Sequence, residues 1–122
     1  MTLRTAQVQS AMDLAEIDDI PFDFSADMIA GETISGTPAV TCERISGAAD
    51  ATPQNMVTGA PLVGDISGGI FSTNAAGKVV LQRFTAQTRG VNYAVRCVVT
   101  LSSGRKLTAA GELPVLKLAS PP

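Results

Sequence analysis

Four acidic side chains near the start of the chain are the first candidates for chemistry. These residues are Asp18, Asp19, Asp23 and Asp27. Clustered carboxylates can hold a calcium ion, but their spacing here matches no calcium-binding loop. Solvated carboxylates along an exposed sheet edge have the same pattern. We therefore expect an acidic edge and no metal site.

Nucleophilic and acid–base chemistry is poorly supported because the sequence has no histidine. This removes the commonest general base, the Ser-His-Asp and Cys-His arrangements, and most zinc and non-haem iron sites. Cys42 and Cys97 have no clustered partners that would complete a metal site. The glycines at 68–69 and Gly104 do not lie at a strand-to-helix junction, which argues against a phosphate-binding loop. We expect no enzyme activity and no cofactor.

Four arginines, Arg83, Arg89, Arg96 and Arg105, gather in the later part of the chain. Arginine is enriched at protein interfaces, which makes these residues candidates for a protein-binding face. The alternative is that they are solvated charges that protect strand edges from aggregation. The sequence does not decide between the two.

The overall charge balance limits the kinds of partner. Nine basic and 11 acidic residues give a net charge of −2, with no block of either sign. The chain therefore lacks the basic patch typical of proteins that bind nucleic acid or an anionic membrane. No apolar run reaches the ~20 residues of a membrane span, and the N-terminus lacks the pattern of an export signal. We expect neither nucleic acid nor a membrane as a partner.

The strand that best organises the candidate residues spans residues 90–101. Its alternate residues Tyr93, Val95, Cys97, Val99 and Leu101 share one face, which predicts a core strand of an antiparallel sheet. Gly90 followed by Tyr93 is typical of a tyrosine corner, in which the hydroxyl bonds to the chain just before the strand. The same alternation favours buried, reduced thiols at Cys42 and Cys97 over a disulfide.

Turn signals divide the rest of the chain into short strands. Ile20, Phe22 and Phe24 share one face of a first strand, and Pro21 places that strand at a sheet edge. Ile45 breaks the alternation of a second strand, which requires a bulge or an end near Glu43. The remaining predictions are loops with one or two short strands at 46–69, a hairpin joining 70–73 to 78–84, and a tight turn at 102–105 leading into a last strand at 106–118.

These elements predict a single domain at residues 17–122, an all-β, immunoglobulin-like antiparallel β-sandwich of about seven strands. Residues 1–16 are predicted to form an N-terminal arm, because Leu3, Val8, Met12 and Leu14 follow neither a helical stripe nor strict alternation. Such an arm is expected to contact another subunit and to produce closed rings or trimers. The alternative is a frayed terminus or a short helix packed on its own domain.

The order of these signals resembles that of small Ig-like structural proteins of tailed bacteriophages, of the fibre-to-tail adaptor type. The resemblance runs from about residue 17 to residue 118 and departs at 46–69. Its carriers are the acidic and aromatic stretch 18–24, the Ala-Gly-Glu-Thr-Ile stretch 30–34, and the block 90–105, which ends in Gly104-Arg105.

The resemblance implies a non-enzymatic virion component, assembled in the host cytoplasm, whose partners are other virion proteins and its own copies. Tail or fibre attachment is favoured. The alternatives are a decoration protein on the head surface and a generic Ig-like binding module of a bacterial cell.

Overall fold

The computed structural model describes residues 2–3, 7–8, 12 and 16–115, and within them the chain is almost entirely β-structure. The one described helix is a 3-10 turn at Pro53–Met56. The strands are β1 (Thr2–Leu3), β2 (Gln7–Val8), β3 (Ile17–Asp23), β4 (Ile34–Gly47), β5 (Val57–Ser67), β6 (Ile70–Thr73), β7 (Val79–Thr85), β8 (Val91–Leu101) and β9 (Lys106–Pro114).

The seven longer strands form two antiparallel sheets, and β1 and β2 add short parallel pairs to one of them. The first sheet has the order β9-β8-β4, with β1 and β2 both paired to β9, and the second has the order β3-β7-β5-β6. In immunoglobulin terms β3, β7 and β5 correspond to strands B, E and D, and β9, β8 and β4 to G, F and C. The prediction of an Ig-like β-sandwich is confirmed, with β6 as an additional edge strand.

Strand β8 is central because it pairs with β4 on one side and β9 on the other. Its inward face is fully buried, from Val91 through Tyr93 to Leu101. The opposing sheet supplies Ile20 and Phe22 from β3 and Val80 and Phe84 from β7 to the same core. Period-2 alternation thus predicted the inward faces of β8 and β3 correctly, and β3 lies at a sheet edge as Pro21 indicated.

The described residues of the predicted N-terminal arm contact the chain's own sandwich. Met12 is buried in the core with 1% of its surface exposed, and its backbone N–H donates to the Pro114 carbonyl at 3.0 Å. The backbone of Leu3 pairs with Thr108, and that of Val8 pairs with Glu112. These contacts correct the expectation that the apolar residues before 17 have no place in the sandwich; Leu14 lies outside the described residues.

Two further predictions are wrong in the second sheet. Residues 46–69 contain the long strand β5, and the hairpin does not join β6 to β7. Instead β6 folds back on β5 through Gly68 and Gly69, whose φ angles of 58° and 77° are those that a two-residue hairpin turn requires. The link 74–77 carries the chain past β5 to β7, with which β5 also pairs.

A buried glutamine lies on the inward face of β7. Gln82 lies on the core face with Val80 and Phe84, and it is completely buried. Its Nε2 donates to the carbonyls of Thr58, Gly59 and Arg83 at 3.0–3.1 Å. The pairing of β5 with β7 shifts register just after Thr58. The amide therefore satisfies carbonyls that the ladder leaves unpaired there.

Candidate protein-interaction surface

Tyr93 anchors one end of the sandwich, but not in the way the tyrosine corner predicts. Its hydroxyl donates to Asp50 Oδ2 at 2.5 Å, in the loop after β4, and not to the backbone just before β8. Asp50 also accepts from Gln87 Nε2 and from the Thr52 N–H. These hydrogen bonds lower the pKa of Asp50, while burial and the Asp50 carboxylate raise the pKa of Tyr93. The junction ties two loops together and is structural.

Gly90 and Gly104 are turn residues, as predicted. Gly90 has φ 72°, and its N–H donates to the Val115 carbonyl while its own carbonyl accepts from Ala48. Gly104 has φ 92° in the β8–β9 turn, where its N–H donates to the Leu101 carbonyl. A residue with a side chain is strained at both positions.

Cys42 and Cys97 are buried and unbridged. Cys42 pairs with Val95 and Cys97 with Val40, so the two cysteines are diagonal neighbours on one face of β4 and β8. Diagonal Cα atoms lie about 7–8 Å apart, beyond the usual span of a disulfide. Burial raises the pKa of each thiol to about 12, so neither is a reactive nucleophile.

Arg105 is part of an internal clamp instead of an open interface. Its guanidinium donates to Glu32 Oε1 at 2.6 Å and to Oε2 at 3.0 Å, and also reaches the Asp27 carbonyl. Glu32 further accepts from the Ser103 hydroxyl and from the Ile29 N–H. The clamp fastens the β3–β4 loop to the β8–β9 turn.

The clamp predicts a specific loss of stability in acid. Hydrogen bonds from Arg105, Ser103 and Ile29 lower the pKa of Glu32 from 4.5 to about 2. The unfolded chain therefore takes up a proton at higher pH than the folded chain does, and the contribution of Glu32 to stability falls as pH drops from about 4.5 to about 2. Urea denaturation at several pH values should show this decline.

The matched control is Glu32→Gln, which removes the titrating group but keeps its shape. The other carboxylates titrate in both proteins, so the difference in unfolding free energy between parent and variant isolates Glu32. That difference should shrink as pH drops through this window. A constant difference from pH 5 to pH 2 would contradict the clamp.

The other three arginines do not form one face with Arg105. Arg83 lies on β7 and donates a bidentate pair of hydrogen bonds to the Asp19 carboxylate of β3, with 2.9 Å between Nε and Oδ1. Arg96 is exposed on β8 in the other sheet, and Arg89 is exposed in the loop before it. The four arginines therefore do not share one face of the sandwich. The Arg83–Asp19 pair fits the alternative of charges along a sheet edge.

The acidic residues of β3 also accept local backbone hydrogen bonds. Asp18 accepts from the Asp19 N–H and Asp23 from the Ser25 N–H. Among the described residues no three His, Cys, Asp or Glu side chains are grouped closely enough to hold a metal ion.

Three of the six large apolar side chains that are exposed among the described residues lie on the β5–β6 hairpin, namely Leu62, Ile66 and Ile70. Leu62 lies opposite Leu81 on the outer face of the sheet, because the neighbouring pair Val63 and Val80 faces the core. Ile66 has the same parity as Leu62 and is opposite Phe71 of β6. We call Leu62, Ile66 and Phe71, together with the outer backbone edge of β6, the hairpin surface; Ile70 pairs with Ser67 and therefore lies on the opposite face of the sheet.

The hairpin surface is built by the local sequence. A Cβ added to Gly64 would lie 2.6 Å from Phe71 Cζ, so the ring rests over a residue that has no side chain. The exposed fractions of Leu62 and Ile66 are 46% and 42%. Sequence reasoning missed this surface because it assigned residues 46–69 mainly to loops. The signal was the i, i+4 spacing of Leu62 and Ile66 on one strand face.

The sheet edges differ in how they are protected. The edge of β9 is covered by β1 and β2. On β4 the Gln54 side chain takes the place of a strand, since its amide accepts from the Cys42 N–H at 2.9 Å and donates to the Val40 carbonyl at 3.0 Å. The β3 edge carries Pro21 and three aspartates. The β6 edge is uncharged, and no described residue pairs with it.

The described residues define a β-sandwich with an exposed apolar area on its β5–β6 hairpin. Comparison of the chain with protein-family models, curated proteins and solved structures found no match. In the described part of the chain, no helix has the length and apolar character needed to cross a membrane.

Proposed function

We propose that this chain is a non-enzymatic structural component of a tailed-phage virion that joins other virion proteins and its own copies through the hairpin surface. The observation that carries the proposal is the exposed, uncharged hairpin surface on a sandwich whose other edges are protected. Exposed apolar residues grouped on one surface mark interaction sites in soluble proteins.

The residues that carry the phage resemblance support this proposal. Glu32 belongs to the stretch 30–34 and Arg105 ends the block 90–105, and the two side chains form the clamp. Two stretches that carry the resemblance, far apart in the sequence, are thus joined by one ion pair. Tail or fibre attachment remains the favoured position in the particle.

Purified particles provide the experimental test. Phage particles carrying the gene are banded in a density gradient and analysed by mass spectrometry, with immunogold electron microscopy for position. We expect the chain at a fixed ratio to the major structural proteins, with label at the tail. Label over the head would show that the chain decorates the head and does not attach the tail or fibre. A chain found only among free proteins would refute a virion role.

A further inference from the structure

We infer that the hairpin surface binds a second copy of this chain, by antiparallel pairing of β6 with β6 across a two-fold axis. The inference deepens the proposed function by naming one partner of the hairpin surface, and it rests on that function for its role in a particle.

The free backbone groups of β6 follow from its pairing with β5. The Asn74 N–H donates to the Val63 carbonyl at 3.0 Å, which makes 63 and 74 a hydrogen-bonded pair. Antiparallel pairs alternate, so the pairs Gly64–Thr73 and Ile66–Phe71 are non-hydrogen-bonded. The N–H and C=O groups of Phe71 and Thr73 therefore point away from β5 and lie along the outer edge.

A single register satisfies all four of these groups. When Phe71 of one copy lies opposite Thr73 of the other, both pairs exchange two hydrogen bonds, and Ser72 meets its own copy at the axis. Phe71 and Thr73 share the outer face with Ile66, so the apolar area continues across the new sheet. The two four-stranded sheets become one sheet of eight strands.

Charge and backbone chemistry select this arrangement over the others. Ile70, Phe71, Ser72 and Thr73 are uncharged, so two β6 edges bring no like charges together. Pairing of two β3 edges would oppose their aspartates. Pairing of β6 with β3 would meet Pro21, which has no N–H to donate. What remains is a closed, self-complementary dimer instead of an open filament.

The dimer is tested by a cross-link specific to its register. Opposed residues of a non-hydrogen-bonded pair have Cα atoms about 4.5 Å apart, within the range of a disulfide. Ser72→Cys should therefore form a covalent dimer under mild oxidation, since both native thiols are buried. Thr41→Cys is the control, because Thr41 is exposed on the edge strand β4, where Gln54 occupies the ladder. It should stay monomeric on a non-reducing gel.

Sedimentation velocity of the full chain provides an independent measurement. The interface is short, so we expect a monomer–dimer equilibrium that shifts toward dimer as protein concentration rises. Thr73→Pro removes an edge N–H that the monomer does not use and should abolish the dimer with unchanged thermal unfolding. Thr73→Val keeps that N–H and should dimerise like the parent.

The outcomes separate this inference from the proposed function. A parent chain that sediments as a monomer at every concentration, a Ser72→Cys variant that stays uncross-linked, or a Thr73→Pro variant that still dimerises overturns the inference. If the Ser72→Cys variant instead cross-links to a different virion protein, the hairpin surface binds that protein and the inference of a second copy is refuted. A cross-linked dimer that is absent from banded particles upholds the inference and refutes the virion role.

Discussion

Replacing Met12 with alanine is expected to lower the free energy of unfolding by about 2–5 kcal/mol. Met12 is almost fully buried among the core residues, so the shorter side chain leaves a cavity as well as losing apolar contact. Its backbone bond to Pro114 remains, which confines the change to the side chain. Urea denaturation followed by circular dichroism measures the difference.

The control for Met12 is Ile29→Ala, which shortens an apolar side chain that is 63% exposed. This surface change should alter stability by no more than about 0.5 kcal/mol. Deletion of residues 1–12 should destabilise the chain at least as much as Met12→Ala does, because strand pairing with β9 is lost too. A Met12→Ala protein as stable as its parent would show that this segment lies outside the core.

Replacing Tyr93 with phenylalanine is expected to lower the free energy of unfolding by about 1.5–3 kcal/mol, the range for hydrogen bonds to a charged group. The ring packing is unchanged, and the variant loses the bond that joins β8 to the Asp50 carboxylate in the loop after β4. Chemical denaturation at pH 7 measures the loss.

A double-mutant cycle with Asp50→Asn separates this hydrogen bond from the other contacts of Asp50. The two substitutions should be less than additive, because both remove the same charged hydrogen bond. Gln87→Ala is a useful comparison, since it removes another donor to Asp50 but leaves Tyr93 in place. Strictly additive losses for Tyr93→Phe and Asp50→Asn would contradict the proposed pairing.

The strands that sequence patterns predicted well are those with one wet and one buried face. In β8 and β3 the apolar residues alternate without interruption, so their inward faces could be assigned before the fold was known. The bulge in β4 was also predictable, because Ile45 breaks the alternation and the register shifts between Arg44 and Ser46.

Other elements depended on partners far away in the sequence. Met12 is buried because it meets the chain at Val115, a contact that no local period records. Strand β5 was missed because Gly59, Pro61 and Gly64 interrupt its pattern, although pairing with β6 and β7 holds it extended. Tertiary context overrides weak strand propensity there.

The candidate site residues also differ in whether their roles depend on local sequence or on distant contacts. The structural roles of Gly90, Gly104 and the two cysteines followed from turn chemistry and parity. The clamp between Glu32 and Arg105 joins residues from different loops, so only the assembled sandwich brings the charges together. For the same reason the sequence treated Arg83, Arg96 and Arg105 as one group, whereas Arg83 lies in a different sheet from Arg96 and from the β8–β9 turn that carries Arg105.

Incorporation of hairpin variants into particles tests the central claim most directly. Phage lacking the gene is complemented with Ile66→Ser or with Ile45→Ser, and the chain is quantified in banded particles. The two residues are matched, with 42% and 45% of their surface exposed, but only Ile66 belongs to the hairpin surface. Both proteins should fold with similar thermal stability. We expect the Ile45→Ser protein in particles at the parent level and the Ile66→Ser protein strongly depleted; equal incorporation of the two would contradict the account.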